Sequence, residues 1–268
     1  MPFDLHPPGY WGDPIPLHWN DAICSWNLKH ELKSSQHYNS KFSSQCGQDF
    51  IVFIINSLDV SSRSKPTFLD LGANDGHINS STFSLESLGW EGLLVEPNIN
   101  LANEIIQNRN SPLISCAVGN EDKIGFLSSG QTTDGLGTII EDSNTREWQR
   151  LHQETISKGE VLRKLPVPIV TLKSILNAFV EIYSRKISLL KIDVEGMELS
   201  IVKQLYEFAS LRPNVVEVEN NYRSSDVAQY LSAMNYKCAV VCDSFVEIWI
   251  NSSLSKESLL KVLRQNLS

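Results

Sequence analysis

Short apolar runs of strand length alternate along most of the chain with stretches whose apolar residues recur at three- and four-residue intervals. The runs fall at 67–71, 92–96, 113–118, 188–193, 214–219, 237–241 and 245–250, seven predicted strands. Between them the spacing predicts helices. One starts near Gln48 and carries Phe50, Ile51, Phe53, Ile54 and Ile55; another crosses over between 78 and 88. After Asp193, the residues Met197, Ile201, Val202, Leu205 and Phe208 share a helical face, and Val227, Tyr230, Leu231 and Met234 do so further on. Residues 253–268 place Leu259, Leu260, Val262 and Leu263 on an amphipathic helix expected to cover a sheet edge. Alternation of this kind is the mark of an α/β fold with a doubly wound, mostly parallel sheet and helices on both faces.

The pattern fails in two places. Residues 1–43 are rich in proline and hold Trp11, Trp19 and Trp26 without a period, which predicts an irregular arm that straps the domain or walls a pocket. Residues 127–168 interrupt the alternation with a glycine-rich lead and a charged stretch. A long insertion in such a sheet reads as a lid or binding segment, with 144–158 a solvated surface helix. The chain thus divides into an arm, 1–43, and one α/β domain, 44–268, carrying the insertion.

Candidate chemistry sits where the first of these strands ends. Phe68-Leu69-Asp70-Leu71 runs into Gly72-Ala73-Asn74-Asp75-Gly76, a glycine-bracketed turn of the type that approaches a nucleotide cofactor closely. A dinucleotide pyrophosphate calls for G-x-G-x-x-G, and the middle glycine is missing here. Carboxylates at Asp70 and Asp75 would repel a diphosphate and attract a cation. S-adenosylmethionine, with a sulfonium, an ammonium and no phosphate, fits these constraints. The next strand ends in Glu96-Pro97, and an acid at that point is placed to accept from both ribose hydroxyls.

The strand Leu189-Leu190-Lys191-Ile192 carries the second group of acids, Asp193 and Glu195, with Gly196 opening the following helix. In an open α/β sheet that end faces the same crevice as the Gly72 turn. Asp193, Glu195 and Glu219 are the candidate catalytic carboxylates, able to hold the cofactor's ammonium, orient an acceptor or take its proton. His77, directly after the turn, reads first as a helix-start residue and second as a base.

Composition narrows the classes further. A hydrophobic share of 41% in 268 residues supports a full core. The net charge of −8, without a dense basic run, argues against nucleic acid and anionic membranes as partners. No apolar run reaches the length of a membrane span and the first residues lack a signal pattern, so a cytoplasmic protein is expected. Five cysteines without a C-x-x-C pair, and six histidines without ligand spacing, predict neither a disulfide framework nor a metal site.

Four segments in order, Ser44-Gln45-Cys46-Gly47-Gln48-Asp49, LDLGANDG, VEPN and KIDVEGME, resemble the FkbM family of S-adenosylmethionine-dependent methyltransferases. The resemblance spans residues from about 43 to 250. It implies a Rossmann-like class I methyltransferase fold whose next-to-last strand is antiparallel. It assigns Asp70, Gly72, Ala73, Asn74 and Gly76 to the methionine end of the cofactor, and Glu96 with Pro97 to the ribose. By the same likeness Cys116, Ala117 and Val118 wall the adenine, Gln48 closes the pocket, and Asp193 and Glu195 lie beside the methyl. The expected activity is O-methylation of a hydroxyl or carboxyl in a small-molecule or peptide natural product. Two rivals stay open: a silent binding module with the same pocket, and a nicotinamide-dependent oxidoreductase.

Overall fold

The computed structural model describes residues 10–16, 42, 44–45, 47–57, 64–130, 137–139, 146–208, 211–221, 224–242 and 245–252. The other parts of the arm, 131–136 of the glycine-rich lead, and the helix expected over 253–268 lie outside the described residues.

At the centre stand β2 (Thr67–Leu71), β3 (Glu91–Val95), β9 (Leu189–Ile192) and β10 (Val215–Glu219), buried almost throughout their length. Strands so continuously buried need cover on both faces. One face carries α1 (Gln48–Ser57), α2 (Ser81–Ser87) and α3 (Ala102–Asn108); residues such as Phe50, Ile51, Leu85 and Ile105 pack there on Phe68, Leu94 and Leu189. The other face carries α5 (Leu172–Tyr183), α6 (Glu198–Glu207) and α7 (Ser225–Ala233) over Leu69, Leu190 and Val216.

Among the described residues the main sheet has eight strands rather than the expected seven, and it is mixed. With β1 (Tyr10–Pro16), β4 (Leu113–Ile114), β11 (Tyr236–Cys242) and β12 (Val246–Asn251), the order is β1-β11-β12-β10-β9-β2-β3-β4. β12 runs antiparallel to both its neighbours, and the other pairs are parallel. The eighth strand comes from the arm, where Tyr10–Pro16 pairs with β11 instead of staying irregular.

A second correction concerns 113–118. The Cys116 N–H closes a tight turn onto the Ile114 carbonyl at 3.1 Å, so the run breaks into β4 and β5 (Ala117–Gly119). β5 leaves for a separate four-stranded sheet, β5-β8-β6-β7, made with β6 (Lys123–Ser129), β7 (Thr138–Ile139) and β8 (Arg163–Thr171). Both ends of the insertion are therefore strand, around a small core of Ala117, Leu127, Val167 and Ile169. Its charged stretch forms α4 (Arg146–Ser157), as expected of a helix there.

Two features of this topology position the site. The chain leaves β2 toward β3 and β4, but after β9 it moves to β10 on the other side, so β2 and β9 flank the switch point where ligands of such sheets bind. The cap of α2 also matters: the Ser80 hydroxyl accepts the Phe83 N–H at 3.2 Å. Ser80→Ala is expected to cost about 1 kcal/mol, read as a lower denaturant midpoint at unchanged slope. Among the described residues no helix is long and apolar enough to cross a membrane.

Candidate active site

The turn after β2 is built from backbone. Gly72, at φ +86°, lets its N–H and that of Ala73 reach the Val95 carbonyl at 2.9 and 3.1 Å. A Cβ at Gly72 would stand 1.7 Å from the Asp193 carbonyl oxygen, so only glycine lets the ends of β2 and β9 lie this close. Asn74 follows in the left-handed region, at φ +52°. The Asp75 carboxylate turns inward and accepts the N–H groups of His77 and Ile78, both at 2.8 Å. Asp70 lies wholly buried under the turn, bonded to the Thr82 hydroxyl and facing Lys191 at 3.2 Å. Neither aspartate is part of the cavity lining at which the sequence reading placed their charge.

Over the switch point opens a cavity of about 310 Å³. Gly72, Ala73, Asn74, Glu96 and Pro97 line it from β2 and β3. Ala117 and Val118, with Cys116, form an apolar wall, and Gln48 reaches in from the start of α1. Asp193, Glu195 and Glu219 close the side of β9 and β10. Of the expected site residues, Asp70 and Gly76 are the two outside this lining: Gly76 instead packs on Arg109 and Ile105. His77 is exposed, its ring edge-on to Phe83, and also stands apart.

Glu96 bridges two turns. One carboxylate oxygen accepts the Asn74 N–H and the other the Asn98 N–H, each at 2.9 Å, which leaves a lone pair on each oxygen. Burial pushes its carboxyl up to about 7, against the pull of those two amides.

On the opposite wall, Asp193 and Glu219 are hydrogen-bonded to each other. Burial and the Asp193 carboxylate push Glu219 up to about 10. Burial raises Asp193 too, but Lys191 and the bond from Glu219 outweigh it and hold Asp193 below the usual carboxylate range. At neutral pH this pair keeps one proton, on Glu219, and Asp193 is the anion. Glu195, at φ +51°, is pushed up to about 8 by burial and by Asp193, while its ion pair with Arg150 of α4 opposes the shift. Oxygens of Asp193, Glu195 and Glu219 lie within 4.8 Å of one another, so these are the described residues that could hold a metal ion.

Three contributors escaped the sequence reading. Lys191 sits in the quoted strand, yet nothing in its neighbourhood along the chain marks a mid-strand lysine as part of a site. Arg150 lies on the helix taken as a solvated surface, and it reaches the cavity through Glu195. Thr138 donates to the Glu195 carbonyl at 2.8 Å, and its neighbours Gly137 and Ile139 line the cavity. The insertion thus touches Glu195 twice, through Arg150 and through Thr138.

The family model described as "Methyltransferase FkbM domain" matches residues 70–238. Among solved structures the chain is similar to methyltransferase FkbM from Methylobacillus flagellatus KT, at 13% identity and a TM-score of 0.42. That match covers 84% of this chain and 52% of the other, so the chain spans about half the length of that structure. No curated protein matches the chain.

Proposed function

Because the chain belongs to the FkbM methyltransferase domain family, we propose that it is an S-adenosylmethionine-dependent O-methyltransferase acting on a small-molecule or peptide acceptor. The observation that carries this reading is the Glu96 carboxylate, fixed at the end of β3 by two backbone amides with an acceptor lone pair left on each oxygen. That is the arrangement a vicinal diol needs. Of the other acids lining the cavity, Asp193 is the anion while Glu195, Glu217 and Glu219 are raised by burial, and the two cations of the lining, Lys191 and Arg150, are paired with Asp193 and Glu195. Such a wall offers hydrogen-bonding carboxyls to a nucleoside, and its two cations are held by acids rather than turned toward a pyrophosphate.

On this reading Glu96 and Pro97 hold the ribose, Ala117 and Val118 with Cys116 flank the adenine, and Gly72, Ala73 and Asn74 border the methionine end. Gln48 closes the inner side. When bound, S-adenosylmethionine supplies a methyl group made electrophilic by its sulfonium. The chain's own work is alignment and exclusion of water. Asp193, ionised and held by Lys191, is the group suited to attract the cofactor's positive charge or to take a proton from an acceptor hydroxyl. Glu219, protonated at neutral pH, is suited to donate a hydrogen bond rather than act as a base. Glu195 is a base whose strength the insertion modulates through Arg150. Asp70 and Gly76 act from beneath, by shaping the turn.

The test is to incubate the purified protein with methyl-labelled S-adenosylmethionine and cell extract, then identify labelled products by mass spectrometry. A product labelled on oxygen is expected. Binding without any labelled product would instead mark a silent module, and binding of a nicotinamide dinucleotide in place of S-adenosylmethionine would overturn the reading.

A further inference from the structure

We propose that Lys191 is a positioning residue for methyl transfer, which clamps the cofactor turn and the Asp193 carboxylate into one rigid unit. The inference rests on the methyltransferase reading and adds a role for a residue whose ammonium acts through its neighbours.

The argument begins with register. Asp70 on β2, Lys191 on β9 and Glu217 on β10 are direct neighbours across three adjacent parallel strands, so their side chains emerge on the same face of the sheet. All three are buried. A lone ammonium there would lose its proton, but the carboxylates of Asp70, Asp193 and Glu217 outweigh the effect of burial and raise Lys191 above its usual range. An ammonium has three N–H donors, and three acceptors surround this one: the Gly72 carbonyl at 2.8 Å, Asp70 at 3.2 Å and Asp193 at 3.2 Å. Hydrogen-bonded to the Gly72 carbonyl and ion-paired with Asp70 and Asp193, Lys191 is placed to orient these groups at the edge of the cavity.

What it orients are the two sides of the cavity. Gly72 is the first residue of the cofactor turn, and Asp193 is the ionised member of the carboxyl pair. The far end of the same turn is held in a matching way, because Arg109 donates to the Gly76 carbonyl at 3.2 Å and to the Thr82 hydroxyl at 3.1 Å. Thr82 in turn donates to Asp70, and Glu86 pairs with the Arg109 guanidinium. A continuous chain of charge and hydrogen bonds, buried except at its half-buried ends, therefore runs Glu86, Arg109, Thr82, Asp70, Lys191, Asp193. It grips the Gly72 to Gly76 turn at both ends, and Lys191 is the link that reaches the chemistry.

The probe is S-adenosylhomocysteine, titrated calorimetrically into the full chain carrying Lys191→Met, Lys191→Arg, or Lys191→Met together with Asp70→Asn. Lys191→Met leaves buried Asp70 without a counter-charge, so a loss of thermal stability is expected. The double variant neutralises that charge, while the substituted amide can still accept from Thr82, so its melting temperature should return toward the wild-type value. Its affinity should not. Both methionine variants are expected to bind about tenfold or more weakly, the scale at which loss of a supporting residue disturbs a site. Lys191→Arg, which keeps the charge, should recover part of the loss. Wild-type affinity in the stable double variant would make Lys191 a stability residue only and overturn the inference. Failure of the wild-type protein itself to bind would be a different result, bringing down the methyltransferase reading as well.

Discussion

Gly72→Ala is expected to abolish S-adenosylmethionine binding and to lower the melting temperature by about ten degrees, if the loss reaches the roughly 4 kcal/mol reserved for severe lesions. Two effects combine. A non-glycine residue held at φ +86° carries left-handed strain of about 1–2 kcal/mol. The added Cβ would also lie 1.7 Å from the Asp193 carbonyl oxygen, a backbone atom that cannot swing aside. To make room, the ends of β2 and β9 must part at the switch point, where the Asp193 N–H donates to the Leu71 carbonyl at 3.0 Å. A control separates the two effects. Gly89 has nearly the same φ, +93°, but a Cβ added there would meet nothing within 4 Å, so Gly89→Ala should show the strain alone. Equal losses of stability in the two variants would refute the close-approach argument.

The same residue shows why so much of the site was legible. Gly72 and Glu96 announce themselves because each directly follows an apolar run, and the rule that open α/β sheets bind ligands at strand ends is a rule about sequence as much as shape. Asp193, Glu195 and Glu219 follow from it in the same way, and all line the cavity. The seven runs each contain a strand, since burial on both faces leaves a mostly apolar signature that single buried charges such as Asp70 and Lys191 do not erase.

What stayed hidden depends on contacts between distant segments. Asp75 looked like ligand chemistry, and only the turn geometry shows one of its carboxylate oxygens accepting the N–H groups of His77 and Ile78. The role of Lys191 requires knowing that it stands beside Asp70. The strands β6 and β8 of the small sheet carry Gly125, Pro166 and Pro168 with exposed Lys123 and Arg163, residues that read as loop. α5 is different, for its signal was present: Leu172, Ile175, Leu176 and Phe179 form a buried helical stripe behind a Thr171 cap. The split of 113–118 turns on a single hydrogen bond that no local pattern foretells.

Glu96→Ala is expected to weaken cofactor binding by about two to four orders of magnitude while leaving the fold intact, since hydrogen bonds to a charged group contribute about 1.5–3 kcal/mol each and two hydroxyls are at stake. The pH dependence gives a sharper signature. Glu96 has an ordinary value of 4.5 and is pushed up to about 7 in the folded protein by burial. Between those values the folded state holds a proton that the unfolded chain has released. Its contribution to stability is therefore full below the lower value and is lost as pH rises through the upper one. Cofactor binding has the opposite sign, because a ribose diol donates its hydrogens and needs the carboxylate. Affinity for S-adenosylhomocysteine should rise between about pH 6 and about pH 8, approaching tenfold per unit on the acid side where one proton must leave. In Glu96→Ala this component should vanish along with most of the affinity, measured by calorimetry at both ends of the range. A variant that binds as tightly as the wild type, with the same pH profile, would remove Glu96 from the cofactor site and with it the observation on which the proposed activity rests.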